Sequence, residues 1–253
     1  MKTLRLAAAF AALSLAAGAS LAAPPAAFPD GFNNLPETHF MRDRDKIPVP
    51  YPPTWTEWFD DFMEYESGNW VTTETDVGAG DTTQALADAD DGIMVYTTAG
   101  NEDDASHQQT IAELFKFESG KELYFETRLK IGDATQSDFV IGLQVRDTTS
   151  LAVSDGMFFQ KDDGDALLDF HSMATSVDTA STGIHTVVDD TYVKLAFYYD
   201  GGTQVLVSVN DALVATVTAT PSTTELTVSS AVQAGSAAAD VLSVDYIWVA
   251  KER

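Results

Sequence analysis

Cysteine is missing from this chain of 253 residues, and basic residues are scarce. The absence of cysteine excludes disulfide bonds, thiolate zinc sites and cysteine nucleophiles. Only 14 lysine and arginine residues stand against 39 aspartate and glutamate residues, which gives a formal net charge of −25. At this charge, contact with nucleic-acid phosphates or with an anionic membrane surface would be repulsive. Stability must come from packing, for which a hydrophobic content of 45% is ample.

Proline is almost absent beyond residue 53, where only Pro221 occurs, and the other prolines lie between residues 24 and 53. Four of them stand in IPVPYPP, at 47–53. Because proline fixes φ and removes a backbone donor, this stretch predicts a stiff polyproline II rod. We interpret residues 24–56 as an extended arm that mediates assembly by binding outside its own domain. Its expected apolar anchors are Phe28, Phe32, Phe40 and Tyr51.

The first 23 residues, MKTLRLAAAFAALSLAAGASLAA, have the pattern of a bacterial secretory signal. Lys2 and Arg5 form its basic start, an apolar middle follows, and Ser20 to Ala22 provide a cleavage site. Cleavage would predict a secreted or periplasmic protein, whereas an uncleaved segment would remain as an apolar arm. No later stretch approaches the roughly 18 apolar residues of a membrane span, so we expect none after cleavage.

Apolar and polar residues alternate through much of the chain after Phe59. In ELYFETRLKI (122–131), Leu123, Phe125 and Leu129 share one face with Thr127 and Ile131, which predicts a half-buried strand. Similar segments predict strands at 92–98, 138–145, 156–161, 166–172, 192–200, 203–210, 212–219, 225–233 and 241–250. Turn signals such as Asp155-Gly156 separate them, and no segment has a sustained helical stripe. The pattern predicts an all-β fold, a two-sheet antiparallel jelly-roll sandwich over residues 57–253.

The order of these segments resembles the concanavalin A-like, laminin-G-like jelly roll. The resemblance rests on FDDF followed by NW, on DGIMVYTT, LYFETRLKI and KLAFYYDGGTQVLVSVNDALVATV, and on the terminal VDYIWVAKER. More narrowly, IPVPYPPTWTEWFDDF, DATQSDFVIGLQVRDTT, DGMFFQKDDGDALLDF and VDYIWVAKER resemble virion structural proteins of tailed bacteriophages. This second resemblance implies a non-catalytic capsid decoration or auxiliary protein on the virion surface. Its partners would be a capsid or other virion protein and further copies of this chain.

The residues that jelly-roll glucanases use for catalysis are missing from the sequence. Retaining cleavage needs two carboxyl groups about 5 Å apart on one face, which alternating acids on one strand would provide. The central strand DFVIGLQVRD (138–147) has aspartates only at its ends. The nearest approach is EWFDDFMEYE, where Asp60, Glu64 and Glu66 would share a strand face. We therefore predict that the protein is not an enzyme. The scattered histidines, His39, His107, His171 and His185, are interpreted as isolated surface imidazoles.

Clustered acids in predicted loops leave Ca²⁺ as the one cofactor to consider. Loop carboxylates supply the oxygen ligands that calcium requires, and the laminin-G-like resemblance implies that such a site can occur. None of these loops has the spacing of an EF-hand, and charged loop tips on an acidic protein are the alternative interpretation. The candidate ligands are Asp88, Asp90, Asp162, Asp163 and Asp165.

A second function is compatible with the fold and with the signal-like start. The chain could be a secreted bacterial glycan-binding module that recognises surface glycans, with aromatic side chains stacked on sugar rings. The alternative interpretation of these aromatic residues is that they belong to the core or its rim. The candidates are Trp58, Trp70, Tyr198 and Tyr199.

Overall fold

Two antiparallel sheets make up the fold in this computed structural model, which describes residues 55–87, 92–149 and 151–253. The strands are β1 (Trp55–Asp60), β2 (Trp70–Thr75), β3 (Thr83–Leu86), β4 (Met94–Thr97), β5 (Ala105–Thr110), β6 (Leu123–Ile131), β7 (Ser137–Gln144), β8 (Gly156–Lys161), β9 (Leu167–Ala174), β10 (Val177–Thr186), β11 (Val193–Tyr199), β12 (Gln204–Val209), β13 (Ala212–Thr218), β14 (Thr227–Ala234) and β15 (Val241–Glu252). A 3-10 turn at Ser67–Asn69 precedes β2. In the part of the chain that the structure describes, no helix is long and apolar enough to cross a membrane.

Strands that follow each other in the chain often belong to different sheets. The eight-stranded sheet has the order β13, β12, β11, β6, β15, β4 and β3, with β1 paired to the far end of β15. The seven-stranded sheet has the order β10, β9, β8, β7, β14, β5 and β2. The chain passes repeatedly from one sheet to the other, for example between β4 and β5, between β6 and β7 and between β14 and β15. This arrangement confirms the predicted two-sheet antiparallel sandwich.

Strand β6 shows how the alternating sequence fixes the faces of the sheet. Leu123, Phe125, Leu129 and Ile131 are fully buried between the sheets. The charged residues of β6 lie on the outer face and are half-buried. Tyr124 is the exception, since it points outward and is still buried. It is buried because the Trp248 ring of the neighbouring strand packs edge-on against it, with 5.0 Å between the ring centroids.

Phenylalanine rings join the inner faces of the two sheets. Phe125 and Phe197 of the eight-stranded sheet stack with their centroids 5.1 Å apart. Phe159 and Phe170 of the other sheet pack edge to face at 5.4 Å. The Phe170 ring then contacts the Phe197 ring at 5.5 Å, which connects the two pairs across the sandwich. All four side chains are fully buried, and each contributes on the order of 1.5–3 kcal/mol through burial.

The first strand begins at Trp55, before the domain start that the sequence predicted at residue 57. Trp55 pairs with Glu252 and Thr56 with Lys251, so the end of the expected arm forms part of the eight-stranded sheet. The other arm residues and the signal-like segment lie outside the described residues. The same holds for the predicted anchors Phe28, Phe32, Phe40 and Tyr51 and for the acidic residues Asp88 and Asp90.

We predict that Phe170→Ala lowers the free energy of unfolding by about 3–5 kcal/mol, because it removes a fully buried ring that packs across the sandwich onto Phe197 and leaves a cavity. The control is Phe59→Ala, which removes the same side chain from a position that is 58% exposed, and it should change stability by no more than about 0.5 kcal/mol. Urea denaturation of both variants measures the difference. Equal losses would show that the inter-sheet ring contact has no special weight.

Candidate functional site

The outer face of the seven-stranded sheet has a cleft at one end. Thr75, Ala105 and Gln233 lie in one row on three neighbouring strands, where Ala105 is the direct partner of both other residues. Because side chains alternate along a strand, all three point away from the core. The cleft encloses about 530 Å³, and its lining is completed by Asp103, Thr148, Thr149, Leu151 and Ala152. Polar groups and small apolar groups therefore share one surface.

The Asp103 wall of the cleft is held by a turn between β4 and β5. The Asp104 carboxylate is buried at the base of this turn and accepts hydrogen bonds from the Val77 N–H at 2.6 Å and the Asn101 N–H at 3.0 Å. The Val77 hydrogen bond is the largest cause that lowers the pKa of Asp104. Asp103 takes a positive φ of 71°, and its carboxylate accepts a hydrogen bond from the Gln233 amide at 2.8 Å. The turn thereby fixes an acid and an amide side by side.

The opposite wall is the connection between β7 and β8, of which residues 145–149 and 151–155 are described. The Asp147 N–H donates to the Gln109 side-chain oxygen at 3.0 Å, and the Gln109 amide donates to the Val145 carbonyl at 3.0 Å. Further along, Val153 is buried in a small cluster with Val140 and Phe158 on the outer face of the sheet. The connection is thus attached to the sheet by hydrogen bonds at one end and by apolar packing at the other.

A buried polar row continues from the cleft along the same face. His107 lies on β5 next to Ala231 of β14, and its Nε2 is 2.7 Å from the Ser229 hydroxyl. The Ser229 hydroxyl donates to the Gln144 side-chain oxygen at 3.0 Å. His107 Nδ1 and Gln144 Nε2 are buried without a hydrogen-bond partner. Burial lowers the pKa of His107 to about 4, with a smaller opposing effect of the Asp147 charge.

The structure corrects the interpretation of the histidines as surface imidazoles. His107 is only 1% exposed, and His171 is half-buried with its ring stacked on Phe158 at 5.3 Å. His171 Nδ1 is also 2.9 Å from the Asp178 carboxylate. The sequence offered no signal for His107, because the segment ASHQQT has no apolar alternation and yet every residue of it is buried. His39 lies outside the described residues.

The four aromatic residues predicted to stack on sugars do not come together. Trp70 is 5% exposed and Tyr199 is 2% exposed, so both are core residues and the prediction is wrong for them. Tyr199 donates its hydroxyl to the Gly202 carbonyl at 3.0 Å. Trp58 is half-buried and packs edge-on against Trp70 at 5.6 Å. Tyr198 lies on the outer face of the eight-stranded sheet, and none of the four lines the cleft.

The carboxylates of EWFDDFMEYE are also separated. Strand β1 ends at Asp60, and the chain turns at Phe62, whose φ is +53°. Glu64 and Glu66 therefore do not share a strand face with Asp60, contrary to the prediction. Burial raises the pKa of Asp60, although the Phe62 N–H donates to its carboxylate at 2.9 Å.

The acidic residues of the loop after β8 form hydrogen bonds with other groups of the protein. The Asp162 carboxylate accepts from the Gln160 amide at 2.6 Å, and the Asp165 carboxylate accepts from the Leu167 N–H at 2.7 Å. The Asp163 N–H donates to the Asp138 carboxylate. Within residues 55–87, 92–149 and 151–253, no three acidic or histidine side chains are grouped so that they could hold a metal ion. The calcium hypothesis remains a prediction, since Asp88 and Asp90 lie outside these ranges.

Comparisons with known proteins agree with this architecture. No protein-family model matches the sequence, and no curated protein matches it. Among solved structures, the endo-1,3-beta-glucanase from Streptomyces sioyaensis is 13% identical, with a TM-score of 0.57 over 81% of this chain and 99% of that chain. The Bacillus licheniformis beta-glucanase is 12% identical, with a TM-score of 0.55 over 76% and 97% of the two chains. Peanut lectin is 12% identical, with a TM-score of 0.51 over 79% and 97%. These similarities confirm the concanavalin A-like jelly-roll fold.

We predict that His107 makes the protein less stable in mild acid. Its pKa is about 4 in the folded chain against 6.5 ordinarily, so the unfolded chain takes up the proton first as the pH falls. Lowering the pH from 7 to 4.5 should therefore lower the free energy of unfolding by about 2 kcal/mol through this residue.

Asp138 acts in the opposite direction, because burial raises its pKa to about 6 and the folded chain takes up that proton first. The measurement must therefore compare His107→Gln with the unchanged protein at each pH by urea denaturation, so that the contribution of Asp138 cancels. The stability difference between the two proteins should shift by about 2 kcal/mol across this range. A difference that is independent of pH would contradict the assignment.

Proposed function

We propose that this protein is a carbohydrate-binding module that binds an uncharged glycan in the cleft of the seven-stranded sheet. The observation that carries the proposal is the row of Thr75, Ala105 and Gln233 beside Asp103. Sugar hydroxyls need donors and acceptors at fixed positions, and an amide held by a carboxylate provides both. Leu151 and Ala152 on the opposite wall offer apolar surface on which the C–H face of a sugar can pack.

Charge narrows the class of glycan. The net charge of −25 would repel a polyanionic polysaccharide. The two solved glucanases are named for uncharged β-glucans, and peanut lectin is named as a lectin. These names support a neutral β-glucan as the first ligand to test, although they describe those proteins and not this chain.

Binding without cleavage is the form of the proposal that fits the cleft. Glycoside hydrolysis uses two carboxyl groups about 5–10 Å apart on either side of the scissile bond. Asp103 is the one carboxylate among the described residues that line the cleft, and Gln233 already donates to it. A single hydrogen-bonded carboxylate can orient a sugar, but it cannot supply both an acid and a nucleophile.

The virion role rests on the sequence resemblance alone. Structural neighbours with a named activity favour the glycan-binding alternative instead. Export through residues 1–23 would bring a glycan-binding module to its ligands, and this localisation remains a prediction. Assembly through the arm, with a capsid protein or with further copies of the chain, also remains a prediction.

The test of this proposal is titration calorimetry with soluble β-1,3-glucan and soluble mixed-linkage β-glucan. Gln233→Ala should weaken binding at least tenfold, because it removes one hydrogen-bonding group and leaves Asp103 without its amide donor; tenfold corresponds to about 1.4 kcal/mol. The control is Gln204→Ala, which removes a half-buried glutamine from the other sheet. Binding should remain unchanged in that variant.

Two results would count against the proposal. One is that neither glucan binds to the unchanged protein, or that both glutamine variants bind equally well. The other is the release of reducing ends from either glucan at a rate that Asp103→Asn abolishes, which would make the cleft catalytic.

A further inference from the structure

The outer face of the eight-stranded sheet carries aromatic residues that the cleft does not use. Trp58 of β1 packs on the core, so the alternate residues Trp55 and Phe59 point to the opposite face. Tyr246 and Trp248 lie beside them on β15, where Trp248 is the direct partner of Phe59. We call these four residues, Trp55, Phe59, Tyr246 and Trp248, the aromatic strip.

The strip is exposed at its centre. Phe59 is 58% exposed, although a buried phenylalanine would be favourable by about 1.5–3 kcal/mol. Its ring lies 6.1 Å from the Tyr246 ring with only 34° between the ring planes. The two rings thus form one tilted platform on the surface, next to the half-buried Trp248.

Hydrogen bonds and ring contacts fix Tyr246 and Trp248, and Phe59 packs on the fixed Tyr246 ring. The Glu126 carboxylate accepts from the Tyr246 hydroxyl at 2.6 Å and also accepts from the Tyr124 hydroxyl. Trp248 packs at 86° against the Tyr124 ring, which is buried beneath it. Side chains that are already ordered lose little conformational entropy when a ligand binds. The strip is therefore a preorganised surface.

Carboxylates surround the rings and limit what can bind there. Glu57 is exposed between Trp55 and Phe59 on β1, and Glu126 and Glu252 lie on the same face. Arg128 also lies on this face, as the partner of Tyr246, but its guanidinium is paired with the Asp245 carboxylate. An anionic ligand would be repelled. A second copy of the chain, docked through the same patch, would place these acids opposite their own equivalents while both chains carry a charge of −25. An uncharged ligand rich in hydroxyl groups can instead pack on the rings and donate hydrogen bonds to the acids.

We propose that the aromatic strip is a second glycan-binding surface for an uncharged polysaccharide. The proposal shares with the proposed function the class of ligand, but it depends on different residues on the opposite side of the sandwich. Because the cleft and the strip face away from each other, one chain binds two polysaccharide strands at once. Each molecule then cross-links glycan particles, and binding to a surface gains from the two linked contacts.

The experiment uses the full chain, and for comparison a chain that begins at Thr54, with particles of β-1,3-glucan and of cellulose. The readouts are retention of the protein on the particles, cross-linking of the particles by light scattering, and the sedimentation coefficient of the protein. Phe59→Ser removes the most exposed ring of the strip. The matched control is Val177→Ser on β10, which also removes a large apolar side chain that is 69% exposed. Trp55→Ser is a second strip variant, in case one substitution alters local structure.

We expect the unchanged protein and Val177→Ser to cross-link the particles. Phe59→Ser and Trp55→Ser should still be retained through the cleft, about fivefold more weakly, and should not cross-link them. In the Gln233→Ala background retention should depend on the strip, so adding Phe59→Ser should abolish it. The double variant distinguishes the strip from the cleft. If the cleft proposal fails, Gln233→Ala has no effect on retention, while retention still depends on Phe59.

Three results would overturn the proposal. In the first, the Gln233→Ala protein is not retained on either kind of particle. In the second, Phe59→Ser changes the sedimentation coefficient of the protein instead of its retention, which would identify a second copy as the occupant. In the third, Phe59→Ser weakens the retention of a chain that begins at Thr54 but not that of the full chain. This would mean that the arm covers the strip in the full chain.

Discussion

The packing of the two sheets against each other, with Phe159 and Phe170 of one sheet meeting Phe197 of the other, is the interaction on which the rest of the structure depends. The inner faces of both sheets are mainly apolar, with a buried polar patch around Gln108 of β5, and burying them against each other decides which side of every strand points outward. Phe125 stacks on Phe197 and Phe159 packs on Phe170, so the contact extends over neighbouring strands. The orientation of Gln233 toward the cleft and of Trp248 toward the opposite surface follows from this packing.

The two outer faces have different chemistry although both belong to an acidic protein. On the seven-stranded sheet, the turn built around Asp104 and the connection held by Gln109 form the walls of an open cleft that mixes polar and apolar groups. On the eight-stranded sheet, β1 adds Trp55 and Phe59 beside Trp248 and creates an aromatic surface. A cleft that mixes polar and apolar groups offers individual sugars both hydrogen bonds and packing, whereas a flat row of rings offers contact along a polymer. We propose uncharged glycans as the ligands of both surfaces, because the overall charge repels anions.

Sequence patterns predicted the strands with clear alternation, such as β6, and missed those without it. Strand β5 was missed because ASHQQT is polar, yet all its residues are buried between β2 and β14. Its polar side chains are accommodated by long-range partners; for example, the Gln108 side-chain oxygen accepts from the Tyr96 hydroxyl at 3.0 Å. Site prediction failed for a related reason. Trp70 and Tyr199 are residue types that can stack on sugars, but neighbours that are distant in sequence bury both side chains.

The sequence by itself determined the all-β class, the two-sheet sandwich and the absence of alternating catalytic acids along β7, because strand periodicity and residue type are local properties. It also determined the net negative charge, which disfavours the approach of anionic ligands. Only the tertiary structure decided that Gln233 meets Asp103, that His107 is buried, and that Phe59 lies beside Tyr246. Each of these features depends on residues far apart in the chain, such as Ser229 beside His107. Their proximity arises from strand order and register, which no local pattern encodes.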